Sequence, residues 1–80
     1  MEKGLVVCSK AGSDKNSFLA VVGSDEKCVY LSDGKRYKIA YPKKKNVKHI
    51  AVTGKILKGQ EILTDKQLRN ALAEYRSSNK

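Results

Sequence analysis

Gly4-Leu5-Val6-Val7-Cys8-Ser9-Lys10-Ala11-Gly12-Ser13-Asp14-Lys15-Asn16-Ser17-Phe18-Leu19-Ala20-Val21-Val22 is the stretch whose reading decides the fold. Two short apolar runs, residues 5–9 and 18–22, flank a polar segment built around Gly12. Each run has strand length and is rich in β-branched residues, and neither shows the 3.6-residue recurrence of a helix. Ala11-Gly12-Ser13-Asp14 carries turn chemistry, so the two runs are expected to fold back on each other as an antiparallel pair.

Working outward, residues 28–31, 36–41 and 47–52 are further short runs of strand character. They are separated by Gly23-Ser24-Asp25, Ser32-Asp33-Gly34 and Pro42 with its lysines. Five closely spaced strands in about fifty residues imply an antiparallel meander closed into a small barrel. Loop length at Asp33-Gly34 would fix which side chains share a face. A two-residue loop sets Val29 opposite Lys38 and Leu31 opposite Arg36, mixing apolar and charged residues. A three-residue loop with left-handed Gly34 sets Val29 opposite Tyr37 and Leu31 opposite Lys35, which separates them. The second register is the expected one: Val29, Leu31, Tyr37, Ile39 and Tyr41 point inward, Tyr30, Arg36 and Lys38 outward.

Past Gly59 the period changes. Leu68, Ala71, Leu72 and Tyr75 fall at i, i+3, i+4 and i+7, one apolar stripe of a helix over residues 64–77. Thr64 is its expected N-cap, with Gln67 completing a capping box and Leu63 meeting Leu68 as a hydrophobic staple. Asp65 in the first turn and Arg76 in the last suit the helix dipole. The helix is expected to cover the barrel rather than to bind a partner. The reading is therefore one mainly β domain over 1–80: a barrel over 2–52, a connecting segment over 53–63 and the C-terminal helix.

Composition bounds what such a domain does. A chain of 80 residues buries only roughly 60 % of its unfolded surface, which favours surface binding over an enclosed active site. No run approaches the roughly 18 apolar residues of a membrane span. The longest apolar run near the N-terminus, Leu5 to Cys8, falls short of a signal-peptide core, so the cytoplasm is the expected address. Cys8 and Cys28 stand far apart with no CxxC pair, and His49 is the single imidazole. Neither a metal centre, a cofactor site, a small-molecule substrate nor a catalytic triad is expected from that inventory; the thiols read as reduced and largely buried.

The net charge of +9 is sharply localised. Nine of the 17 Lys and Arg residues lie between Gly34 and Gln60, where there is no Asp or Glu, leaving eight basic against eight acidic residues elsewhere. That segregation is a polyanion footprint. Lys43, Lys44, Lys45 and Lys48 are expected to project from one loop after Pro42 as a flexible phosphate clamp. Lysine contacts phosphate as a point charge, so such a loop positions a nucleic acid without reading it. Arg36 is the candidate for stacking or base contact, together with outward Tyr30. Lys35 and Lys38 extend the basic face, and His49 reads as a phosphate contact. An SH3-like protein-interaction module for an acidic partner in translation or transcription is the alternative that the same charge allows.

The segment from Gly4 to Asn16 followed by Phe18–Val22 resembles the KOW motif of nucleic-acid-binding SH3-like barrels, with Gly12 and Lys15 at the turn positions. Asp33-Gly34, Arg36 to Tyr41 and Pro42-Lys43-Lys44-Lys45 through Lys48-His49 look like the small bacterial KOW-domain RNA-binding proteins. Those are similar to KOW-type large-subunit ribosomal proteins of archaea and eukaryotes. The resemblance spans roughly Glu2 to Val52. It implies RNA as partner, ribosomal RNA first and the ribosome with it, and brings Lys10, Ser13 and Lys15 of the turn into the expected contact set. One position departs: the family often has a second glycine where this chain has Asn16. Asn tolerates a left-handed backbone, so the turn can keep its shape, while a side chain now occupies the space there.

Overall fold

The computed structural model describes residues 1–13 and 15–78. Asp14, the fourth residue of the expected turn, lies outside the described residues, as do the last two residues of the chain. Five antiparallel strands form one sheet: β1 Leu5–Ser9, β2 Phe18–Ser24, β3 Cys28–Ser32, β4 Lys43–Asn46 and β5 Ile50–Ile56. They lie in the order β4-β3-β2-β1-β5. One C-terminal helix, α1 Asp65–Ser78, follows a single 3₁₀ turn at Gly59–Ile62. This is the mainly β, barrel-like domain with a terminal helix that the sequence implies.

The two edge strands, β4 and β5, are joined by only one 3₁₀ turn, Val47–His49. A three-residue connector cannot span a flat five-stranded sheet, so the sheet curls until its edges approach each other. Irregular register between Val21 and Gly23 and between Leu5 and Val7 supplies the bending. Inside the curl lie Val7, Leu19, Val21, Val29, Leu31 and Ile50. On the other face Val6 and Ala20 pack under Leu68, Ala71 and Leu72 of α1, with Leu57 and Ile62 beside them. β1 and β2 are thus covered on both faces, which is why they read as unbroken apolar runs.

Three expectations about the second half of the sheet are overturned. Residues 36–41 are not a strand. Asp33 Oδ1 accepts the amides of Lys35 and Tyr37, both at 2.9 Å, and the Asp33 and Gly34 amides both donate to the Tyr37 carbonyl at 3.1 Å. The Ile39 amide donates to Asp65 Oδ1 at 2.8 Å, and that of Tyr41 to the Lys38 carbonyl at 3.0 Å. Local side-chain and turn partners have taken the donors a ladder would need.

The fourth strand is instead the lysine run. Its register is Leu31 opposite Lys43, Tyr30 opposite Lys44 and Val29 opposite Lys45, so the expected pairing of Val29 with Tyr37 does not occur. Lysine is a poor strand former in general, but an edge strand tolerates it: the stem covers apolar surface while the ammonium stays wet. Pro42, just before the strand, sits where a missing amide does no harm. The expected flexible lysine loop is therefore a paired strand.

The third correction concerns the last barrel strand, expected over 47–52. Its first three residues form the 3₁₀ turn, capped by Asn46 Oδ1 accepting the Lys48 amide at 2.9 Å. β5 itself runs on to Ile56, past the boundary expected at residue 52. Tyr41, expected inward, is 81 % exposed, and Leu63 is 73 % exposed and forms no staple. The Thr64 cap is present, with its Oγ1 accepting the Gln67 amide at 3.2 Å, although the Gln67 side chain meets the Thr64 hydroxyl rather than its backbone.

Candidate nucleic-acid interface

The turn between β1 and β2 is the hub of the basic surface. Gly12 and Asn16 both take left-handed backbone, φ 85° and 71°, and the Asn16 amide donates to the Ser9 carbonyl at 2.8 Å. Among the described residues Asn16 is the one non-glycine residue with a left-handed backbone, a conformation asparagine tolerates. Lys10 and Lys15 are exposed on this turn.

Three other segments converge on it. From β4, Lys45 Nζ donates to Ser9 Oγ at 2.7 Å and to the Ala11 carbonyl at 2.8 Å. From the 3₁₀ turn, the His49 carbonyl accepts the Lys10 amide at 2.8 Å, which sets the exposed His49 and Lys48 alongside. From the loop after β3, Arg36 Nη2 donates to Ser13 Oγ at 3.2 Å. The Arg36 guanidinium also lies 5.4 Å from the centre of the Tyr37 ring, and Lys43 Nζ lies 5.8 Å from the same ring. Tyr37 packs by its body against the inner core, so its ring anchors both cations at the barrel mouth.

The loop that carries Arg36 is fastened from the other side by α1. Besides the Ile39–Asp65 bond, Arg69 Nη1 donates to the Gly34 carbonyl at 3.4 Å. Gly34 has φ 75°, and a Cβ there would stand 2.2 Å from the Asp65 carbonyl oxygen. Only glycine lets the loop lie this close to the helix. Lys35 and Lys38 are exposed on this loop.

Tyr30 and Lys44 form a separate outer patch. They oppose each other across β3 and β4, so Tyr30 points outward as expected but stands beside Lys44 rather than Arg36 and Lys38. Its hydroxyl donates to Asp25 Oδ2 at 3.2 Å. The Asp25 carboxyl is held below its ordinary pKa, first by the Cys28 amide, then by the Lys27 amide, with smaller help from the Tyr30 hydroxyl and the Lys44 charge.

Lys45 is the expected contact whose surroundings differ most from the sequence reading, since its ammonium is partly buried in bonds across the barrel mouth. Sequence reasoning missed the anchoring role of Tyr37 and the loop-holding pair Asp65 and Arg69. The spacing of Asp33 two and four residues before Lys35 and Tyr37 was the available signal for a side-chain-organised loop. Elsewhere, Gln60, Glu61, Gln67, Asn70 and Glu74 line an open polar cleft against α1, whose two carboxylates disfavour phosphate. Cys8 and Cys28 are free and each half-buried, and no helix among the described residues is long and apolar enough to cross a membrane. No protein-family model matches this chain, and no curated protein does.

Proposed function

We propose that this chain is a cytoplasmic RNA-binding protein that grips the phosphate backbone of structured RNA around its β1–β2 turn and catalyses nothing. One observation carries the reading. The excess positive charge of the chain is confined to its middle third, and from that third Arg36 reaches Ser13, Lys43 shares the Tyr37 ring with Arg36, and the His49 carbonyl next to Lys48 accepts the Lys10 amide. Cations from distant points of the chain brought to one end of a barrel make a potential that a line of phosphates fits.

The division of labour follows from side-chain chemistry. Lys10, Lys15, Lys43 and Lys48 act as hydrated point charges that displace condensed counterions from the RNA. Arg36, held between Ser13 and Tyr37, offers a planar guanidinium whose orientation is fixed before RNA arrives. The resemblance to KOW-type ribosomal proteins makes ribosomal RNA the first candidate and the ribosome the expected setting.

Pulldown from cell extract with and without nuclease tests this. RNA-dependent partners, with ribosomal RNA enriched after crosslinking, are the expected result. Partners that stay bound after nuclease would favour an acidic protein ligand and overturn the RNA reading.

A further inference from the structure

We propose that Tyr41 is a stacking platform for one unpaired base, so that the site takes RNA with an unpaired nucleotide beside its gripped backbone rather than uninterrupted duplex. The inference rests on the RNA-binding reading and adds the class of RNA.

The chain has one Phe and four Tyr residues, and four of these five rings have a structural task. Phe18 and Tyr75 meet edge to face under α1, with centroids 5.3 Å apart. Tyr37 closes the inner core beneath Arg36 and Lys43. Tyr30 is half-buried, tied by its hydroxyl to Asp25, and its ring lies 3.6 Å from where a Cβ on Gly23 would be. Tyr41 alone is spread into solvent, 81 % exposed.

A single exposed apolar side chain is ordinary on a protein surface, but the setting of Tyr41 is not. Its amide is bonded to the Lys38 carbonyl at 3.0 Å. Pro42 follows with its φ fixed by the ring, and Lys43 then enters the paired strand β4. The backbone that carries the ring is thus held on both sides, so little freedom is lost when a base covers it. Cations lie on both sides as well: Lys38 before it, Lys43 and Lys44 after it, all exposed. An exposed aromatic ring carried on a chain segment with cations on either side in sequence suits an unpaired base, which can stack on the ring while its backbone meets the ammonium groups. A-form duplex keeps its bases stacked on each other and offers no free face to such a ring.

The test compares a hairpin RNA bearing a single-stranded overhang, a blunt duplex with the same number of phosphates, and heparin as a base-free polyanion. The chain has no Trp, so Tyr41→Trp places a unique fluorophore at the ring. We expect Tyr41→Ala to weaken binding of the overhang RNA by roughly 5- to 150-fold, the range of one lost base stack, with duplex and heparin affinities unchanged. Tyr41→Trp should restore binding, and its emission should be quenched by the overhang RNA only. Equal affinity of Tyr41→Ala and parent for the overhang RNA, or binding by Tyr41→Trp without a change in emission, would overturn stacking and leave the backbone grip standing. A parent protein that binds heparin but neither RNA would overturn both.

Discussion

The ammonium of Lys45 lies 2.7 Å from Ser9 Oγ, joining residues 36 positions apart in sequence and bridging the edge strand β4 to the end of β1. Its stem faces the interior because its ladder partner is buried Val29. One lysine of an apparent charge run thus ties the edge strand β4 to the end of β1 beside the site.

Lys45→Met should therefore lower stability by about 1–3 kcal/mol, the range for losing hydrogen bonds to a charged donor. Lys43→Met, which gives up an exposed contact with the Tyr37 ring and no side-chain hydrogen bond among the described residues, should change it by less than about 1 kcal/mol. Urea titration of both variants measures the difference. Equal midpoints would show that the Lys45 bonds contribute nothing net.

Gly34 lies hard against the first turn of α1. Alanine there would need a left-handed backbone and a Cβ inside contact distance of the Asp65 carbonyl, so Gly34→Ala should cost more than about 2 kcal/mol. Gly54 has open space around it, and Gly54→Ala should be neutral or stabilising by a few tenths of a kcal/mol. Thermal melts of the pair separate these outcomes.

Asp65 holds the loop through the Ile39 amide, and the loop carries Arg36 to Ser13. Asp65→Ala should speed hydrogen exchange at the Ile39 amide and weaken RNA binding while the sheet amides keep their protection. Asp65→Asn, which retains an acceptor oxygen, should recover most of both. Unchanged exchange at Ile39 in Asp65→Ala would show that the bond does not restrain the loop.

Much of this fold was legible because burial leaves a periodic mark. Val6-Val7 and Leu19-Ala20-Val21 lie on the strands their apolar runs imply, and the stripe Leu68, Ala71, Leu72 packs its helix on the sheet as expected. The loop 33–41 was not legible, because its strand-like alternation of Tyr37, Ile39 and Tyr41 is outweighed by bonds from Asp33 and from Asp65, which lies 26 residues beyond Ile39. Pattern reports which side chains seek burial; it cannot report that a distant carboxylate will claim a backbone donor. The same limit hid β4, where an edge position overrides the low strand propensity of lysine. The basic segment was visible as composition, but its convergence on the β1–β2 turn depends on long-range partners such as Ser9 with Lys45 and Ser13 with Arg36.

Asp25 gives a pH prediction. Its pKa is lowered in the folded chain, so the stabilisation from its bonds is present above the unfolded value and is lost as pH falls through the folded one. The Asp25 carboxyl should titrate below 3.8, its ordinary value, when followed by NMR, and Asp25→Asn should remove that acid-side loss. A midpoint at or above the ordinary value would contradict the bonds to the Cys28 and Lys27 amides.

The last prediction separates a gathered site from mere total charge. Lys43 and Lys48 are exposed near the β1–β2 turn, whereas Lys3 and Lys55 lie toward the opposite end of the barrel, where Leu5 pairs with Ile56. Lys55 belongs to the same charge-rich third of the chain as Lys43 and Lys48, so composition alone cannot tell these two pairs apart. Each phosphate contact contributes roughly −0.7 to −0.9 to the slope of log affinity against log salt. Replacing Lys43 and Lys48 together by Gln should flatten that slope by up to about 2 units, and replacing Lys3 and Lys55 should leave it nearly unchanged. Any base preference should survive the first pair of changes, because phosphate contacts position RNA without reading it. A fluorescence-anisotropy salt titration against one structured RNA measures both variants. Equal slopes and equal losses of affinity would mean that net charge governs binding and that the cluster around the β1–β2 turn has no special role.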